Sequence, residues 1–378
     1  MEPFTSHQHE ALRERARAFA EGHDGAATAE AALPLLRALG DAGLLRACLP
    51  LPARPAPPLA TLPLVVLREE LGRASALIDT LAAMQALAAI PIAAAGDTAT
   101  RERWLPGLAT GDAVGAFALS EAGAGSDLRA LATTAQREAS GYRLDGEKCL
   151  ISNAGIASVY VVFARTGGPC DKRPLSAFAV PAEAHGLSVT PVPLAVAHPM
   201  GNLRLDGVQV AESMRLGAEG DGIRLALSTL TMMRPTVGAA ACGLARRALD
   251  EARTFVRQRQ TFGKPLAERD SVRMALADMA TSLEAARLLV YRAAWLHDGG
   301  GGPRGDERFA LAPSSMAKLF ATEAAQQIVD RAVQLHGGLG VVRGVTVERL
   351  YREVRALRIY EGTSEIQKLI IARALLAD

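Results

Sequence analysis

Apolar positions along this chain repeat with three textures in succession. From residue 5 to about 110 the spacing is helical. Leu12, Ala16 and Phe19 mark one face, and Leu35, Leu36 and Leu39 mark a second that ends near Gly40 or Gly43. Residues 49–58 hold five prolines and read as extended. A helix restarts near Leu62 with Pro63 in its first turn, and others follow at 78–95 and 98–109. Between 113 and 216 short β-prone runs (142–144, 159–164, 176–180, 187–192 and 203–210) alternate with turn residues. Asp145-Gly146, Gly167-Gly168 and Asp206-Gly207 read as the turns between them. From about 220 to the end the helical period returns. Val272, Leu276, Met279, Leu283, Ala286 and Val290 form the stripe of a bundle helix, which the glycines from Gly299 to Gly302 close. The pattern predicts an α+β protein of several domains: helical over 1–112, a small β domain over 113–216, and a helical bundle over 217–378.

Composition narrows the class. The 378 residues allow two or three domains, and 49% hydrophobic with 22% charged residues is ordinary for a globular protein. A net charge of +2 gives no electrostatic case for nucleic acid or an anionic membrane. The cysteines (Cys48, Cys149, Cys170 and Cys242) are scattered without a CxxC, which argues against zinc, any other metal and a disulfide framework. Buried reduced thiols in a cytoplasmic protein are the expectation. The N-terminus lacks the apolar core of a signal peptide, and the alanine-rich run 77–95 reads as a buried helix rather than a membrane insertion. The order α, β, α runs against a doubly wound nucleotide fold, and neither a complete GxGxxG nor a P-loop is found.

One stretch stands out chemically. Glu361 sits between Tyr360 and Gly362, just ahead of a helix that starts at Thr363-Ser364, has Glu365 in its first turn and carries Ile366, Leu369 and Ile370 on one face. Gly362 removes a side chain beside the acid, so a ligand could approach it and the local N–H groups. Two readings stand: an acid favoured by the helix dipole, or a positioned general base. Elsewhere, GAFALSEAGAGSD (115–127) is a β-run followed by a glycine-rich loop able to turn N–H groups toward an anion. KCLISN (148–153) is a strand end. In RQRQTFGKPL (257–266), Phe262-Gly263 ends an arginine-rich helix and Pro265 stops its continuation. TMMRP (231–235) opens a helix of small residues, where Arg234 is poorly placed for the dipole. In QLHGGLG (334–340) two adjacent glycines follow a long helix; His336 there has no placed catalytic partner.

RIYEGTSEIQ, with the upstream QLHGGLG and ERLYREVRALR, resembles the C-terminal signature of the acyl-CoA dehydrogenases, and the other motifs fall in the family's order over nearly the whole chain. The resemblance implies a helical domain, a small β-barrel or sandwich and a four-helix bundle. It implies FAD as cofactor, an acyl-CoA substrate, and oxidation to the trans-2-enoyl-CoA with Glu361 as the base. The β-hydride goes to the flavin N5, and the electrons leave to an electron-transfer flavoprotein. Carried over residue by residue, Phe117, Leu119, Ser120, Gly125 and Ser126 line FAD, and Ser126 also meets substrate. Leu150, Ile151 and Ser152 pack on the flavin. Thr363 and Glu365 belong to the FAD set as well. Arg259, Phe262, Gln334, Gly337 and Gly338 reach FAD held mainly by a neighbouring subunit, which implies a homotetramer built as a dimer of dimers. Arg234, Tyr360 and Gly362 join Ser126 at the substrate. The chain departs from the family pattern at Ala122, Leu150, Asp270 and Val341. An acyl-CoA oxidase, or a non-catalytic acyl-thioester-binding homologue, are the alternative readings. The acyl group, and CoA against a carrier protein, stay open.

Overall fold

The computed structural model describes residues 4–23, 28–49, 60–168, 171–300 and 307–376. The proline-rich run 50–58 and Gly301-Gly302 lie outside them. The elements run α1 (His7–Gly22), α2 (Ala32–Asp41), α3 (Leu62–Ala74), α4 (Ala76–Ala95) and α5 (Thr98–Thr110). Then come β1 (Gly115–Ala118), β2 (Thr134–Glu138), β3 (Gly141–Ser152), β4 (Val159–Arg165), β5 (Leu175–Pro181), β6 (Leu187–Pro191), β7 (Met200–Ala211) and β8 (Arg215–Leu216). They are followed by α6 (Gly222–Gln258), β9 (Gln260–Thr261), β10 (Lys264–Pro265), α7 (Asp270–His297), α8 (Glu307–His336), α9 (Thr346–Val354) and α10 (Ser364–Leu375). The protein is thus α+β, helix-rich with one mixed sheet. Contacts divide it into two compact units. One is Met1–Ala26 with Ala60–Asp79 and Thr231–Asp378; the other is Ala27–Leu59 with Thr80–Leu230. The five N-terminal helices are therefore shared between the units.

In the second unit the sheet runs β6-β7-β3-β2-β4-β5-β8, with β1 parallel to β4. Its core holds Tyr142, Leu144, Ile151, Val162, Phe178 and Val208. β7 alternates buried and exposed positions as a strand with one packed face should, whereas β4 and β5 are buried almost throughout. The Asp145-Gly146 and Asp206-Gly207 pairs are not turns. Both lie inside 12-residue strands, where Leu144 pairs with Val208 but Gly146 with Leu205. One extra residue in β7 makes a bulge there, which Gly207 accommodates at φ 66°. Gln85 ties α4 to the sheet: its amide donates to Leu108 O and Ala113 O and accepts from Gly115 N, each at 2.7–2.8 Å. α4 is the one described helix long and apolar enough to cross a membrane. Since 89% of its most apolar window is buried within the protein, it is a core helix.

In the first unit α1 packs on α3, α3 on α7, α7 on α8, and α8 on α9 and α10. α6 crosses α3 so closely that a Cβ on Gly243 would meet Glu69 O at 2.2 Å. On another face of α6, Gly238 meets Val290 of α7 and Ala317 of α8. Two sequence expectations fail here. TMMRP does not open a helix: α6 starts at Gly222, so Arg234 is interior and Pro235 lies within the helix. Phe262-Gly263 does not end one either. α6 stops at Gln258, and the pair forms the two-residue turn of the β9-β10 hairpin, with φ 49° and 76°. Among the described residues no disulfide forms and only Cys242 is a fully buried cysteine; Cys48 and Cys149 are half-buried, and Cys170 lies outside the described residues.

Candidate active site

The Glu361 turn is built in the helical unit from α3, α6, α8 and α10. The acid has φ 54°, a left-handed value that costs a side-chain-bearing residue about 1–2 kcal/mol. Gly362 follows at φ 93°. Three contacts hold this turn. Lys318 Nζ of α8 donates to Gly362 O at 2.6 Å. Gln367 Nε2 of α10 donates to the same oxygen at 2.9 Å and to Glu361 O at 3.3 Å. Thr363 then caps α10, its hydroxyl accepting from Ile366 N, while Ser364 donates to Glu323 at 2.6 Å. A Cβ at position 362 would meet Gln367 Nε2 at 2.6 Å, so the clamp requires glycine there.

The carboxylate itself is left unsatisfied. Glu361 Oε2 is buried without a hydrogen-bond partner. Burial pushes its pKa above the ordinary carboxylate value, Asp79 adds to the rise, and Arg68, Lys318 and Arg234 oppose it. Arg68 is fully buried and grips Asp79 with Nε and Nη2, both at 2.8 Å, while its Nη1 donates to Thr236 at 2.8 Å. Arg234 is buried too. Its Nη1 reaches Thr231 Oγ1 at 3.5 Å, its Nε has no partner, and burial lowers its pKa. Tyr360 is 37% exposed, yet its hydroxyl faces Arg68, and burial holds it in the neutral form. Of the residues expected at the substrate, the structure therefore brings Glu361, Tyr360, Gly362 and Arg234 together. Arg68, Asp79, Lys318 and Gln367 are functional surroundings the sequence reading missed. Their one signal was a charge within an apolar run, as in VVLREEL and SMAKLFA.

Within the sheet unit a second constellation forms. Cys149 N donates to Ser120 O at 2.9 Å, and the buried Lys148 donates to Leu119 O at 3.2 Å and Glu121 at 2.7 Å. The end of β1 is thereby fixed beside β3. Leu150 bulges from β3 with φ 54° and is 58% exposed, its N–H held by Asn202 Oδ1. Ile151 is buried and Ser152 half-buried. Phe117 packs its ring against Phe163 at 4.9 Å. Gly125 and Ser126 are exposed just after the tight turn closed by the Glu121–Ala124 bridge, and a Cβ on Gly123 or Gly125 would meet nothing within 4 Å. These glycines thus serve no packing need of the chain, and they leave room for a ligand against the loop backbone. Back in the helical unit, Phe262 is 97% exposed on its hairpin, with Arg259 exposed beside it. Gln334, Gly337 and Gly338 are exposed where α8 ends. The Phe255–His336 ring stack, at 4.3 Å, joins those two helix ends and gives His336 a packing role. Glu365 is exposed in the first turn of α10.

Comparison with known proteins gives three family-model matches: acyl-CoA dehydrogenase N-terminal domain at 6–112, middle domain at 116–208, and C-terminal domain at 220–376. A cyclohexane-1-carbonyl-CoA dehydrogenase of Geobacter metallireducens is 38% identical over 313 residues, covering 82% of this chain and 80% of the relative. The structure of butyryl-CoA dehydrogenase from Megasphaera elsdenii matches with a TM-score of 0.90 and 30% identity over 99% of each chain. A chain from work on the electron transferring flavoprotein of Acidaminococcus fermentans matches with a TM-score of 0.91 and 30% identity over 100% of both chains.

Proposed function

This chain belongs to the acyl-CoA dehydrogenase family, and we propose from that premise that it oxidises an acyl-CoA to the trans-2-enoyl-CoA with Glu361 as the α-proton base. The observation that carries the proposal is the buried, unpartnered Glu361 Oε2 on a left-handed turn. A carboxylate in water is too weak to deprotonate a thioester. Withdrawal from water raises the basicity of Glu361 toward that task, while Arg68, Lys318 and Arg234 keep its ionised form accessible. Among the described residues no backbone acceptor takes the Glu361 N–H, which leaves that donor for the thioester oxygen as charge develops there. Proton removal leaves Glu361 neutral, the form its burial favours.

The residues present fit FAD. Open space at Gly123 and Gly125, the exposed Leu150 and the exposed Phe262 are surfaces that the chain itself leaves uncovered. Phe117, Leu119, Ser120, Gly125, Ser126, Leu150, Ile151 and Ser152 of the sheet unit would hold it. Arg259, Phe262, Gln334, Gly337 and Gly338 would serve a partner subunit's copy in a homotetramer. When bound, FAD supplies the hydride acceptor. Dehydrogenase rather than oxidase chemistry follows the named relatives, and an electron-transfer flavoprotein is the proposed recipient of the electrons. A role in fatty-acid metabolism, a cytoplasmic location and three domains at 1–112, 113–216 and 217–378 belong to the same proposal. The test is anaerobic bleaching of the yellow protein across a panel including butyryl-CoA, a medium-chain acyl-CoA and cyclohexane-1-carbonyl-CoA. Bleaching by at least one member supports the proposal. A colourless protein that cannot be reconstituted with FAD contradicts it.

A further inference from the structure

Lys318 is one of the most deeply buried cations in the helical unit, and its contact with the acid's turn is unusual. Its ammonium donates not to a carboxylate but to Gly362 O, the carbonyl next after the acid. That bond and the Gln367 amide converge on the same oxygen, so the peptide following Gly362 cannot rotate without breaking both. Glu361 and Gly362 both hold positive φ, a pair of conformations that surrounding contacts must impose. The charges facing this pair are Arg68 from α3, Asp79 from α4, Arg234 from α6, Glu323 of α8 and Glu365 of α10, with Tyr360 from the turn itself.

We infer that Lys318 is a positioning residue for the base, holding Gly362 O so that the turn presents Glu361 and favouring the ionised carboxylate by its charge. The inference rests on the reading of Glu361 as base. Burial brings the Lys318 pKa down to about 8, with Arg234 adding to the fall and Glu361, Glu323 and Glu365 opposing it. Below that pH the ammonium is present and lowers the Glu361 pKa; its removal must raise that pKa.

Two variants separate the hydrogen bond from the charge. In the FAD-loaded protein, Lys318→Met should lower kcat roughly 10²-fold, the cost of a misplaced reacting group, with KM nearly unchanged. The acid limb of the pH–rate profile should move to higher pH. Lys318→Gln keeps a donor without the charge, so it should recover most of kcat and retain the displaced limb. Independently of turnover, infrared difference titration of the Glu361 carboxyl, blanked against Glu361→Gln, should show the same upward displacement in both variants. Wild-type kcat in Lys318→Met, a Gln variant no faster than the Met variant, or an unmoved Glu361 titration each overturns the inference. If Lys318→Met does not fold, the titration of Lys318→Gln decides alone. Failure of the base reading would show itself separately, as turnover retained by Glu361→Gln.

Discussion

Each compact unit anchors its candidate site on a buried lysine, and the two lysines sit in opposite electrostatic settings. In the sheet unit, Lys148 meets Glu121 at 2.7 Å, and that carboxylate also accepts Ala132 N at 2.6 Å and Thr133 N at 3.0 Å. Burial pushes Glu121 up, but these donors together hold it below the ordinary carboxylate range. Burial also draws Lys148 down against the pull of Glu121. With three donors on the carboxylate, the ionic form of the pair wins. In the helical unit, Lys318 has a carbonyl for a partner, and the nearby Glu361 keeps a buried oxygen, Oε2, without a hydrogen-bond donor. The difference separates two tasks. A loop that cradles a ligand gains from closed, satisfied polar contacts, because they fix its backbone. A carboxylate that must take a proton needs the reverse, since every donor on it would lower its basicity.

The comparison can be broken experimentally, and the largest expected effect is in the sheet unit. Lys148→Met removes the ionic partner of Glu121, which keeps its Ala132 and Thr133 donors, and should cost about 2–3 kcal/mol, read by urea unfolding, with loss of flavin absorbance per protein. A variant with native stability and full flavin would show that the pair anchors nothing. Next is Gly362→Ala in the helical unit. Its Cβ would strike Gln367 Nε2 and its φ is left-handed, so a loss of about 1–2 kcal/mol is expected in thermal unfolding, together with slower turnover. A smaller effect tests the unsatisfied acid. The folded-state pKa of Glu361 is raised, so its contribution to stability is full below the ordinary value of 4.5 and is lost as pH rises through the raised one. Glu361→Gln should therefore match wild type in acid and gain in Tm over wild type as pH rises toward neutrality; a constant difference at all pH values would contradict the raised pKa. Smallest is Leu150→Gly, where relief of a left-handed φ outweighs glycine's entropy by under about 1 kcal/mol. A clear loss of Tm would mean that the bulge is not strained.

Much of this was readable from the residues. The cap at Thr363, the proline in the first turn of α3, the α7 stripe and the run of β4 all follow local rules, and the structure places them where the pattern did. What was lost depends on distant partners. Asp145-Gly146 has the chemistry of a hairpin turn, but two long strands pair straight through it and turn it into one side of a bulge. TMMRP resembles a helix start because of its proline, yet the helix continues through it. Phe262-Gly263 has the residues of a helix end, and its hairpin strands, two residues each, are too short to leave a strand pattern. Lys318, Arg68 and Asp79 acquire meaning only when α8, α3 and α4 bring them to a turn far along the chain, and no spacing rule reports that. The acid was legible; its electrostatic surroundings were not.

The most direct test is single-turnover reduction of FAD-loaded Glu361→Gln by a bleaching acyl-CoA under anaerobic conditions. The variant should keep its yellow flavin and native fold, and it should reduce about 10²–10⁴-fold more slowly than wild type, the range a general base supplies. Bleaching at the wild-type rate would contradict the account, because the proton would then be leaving to some other group.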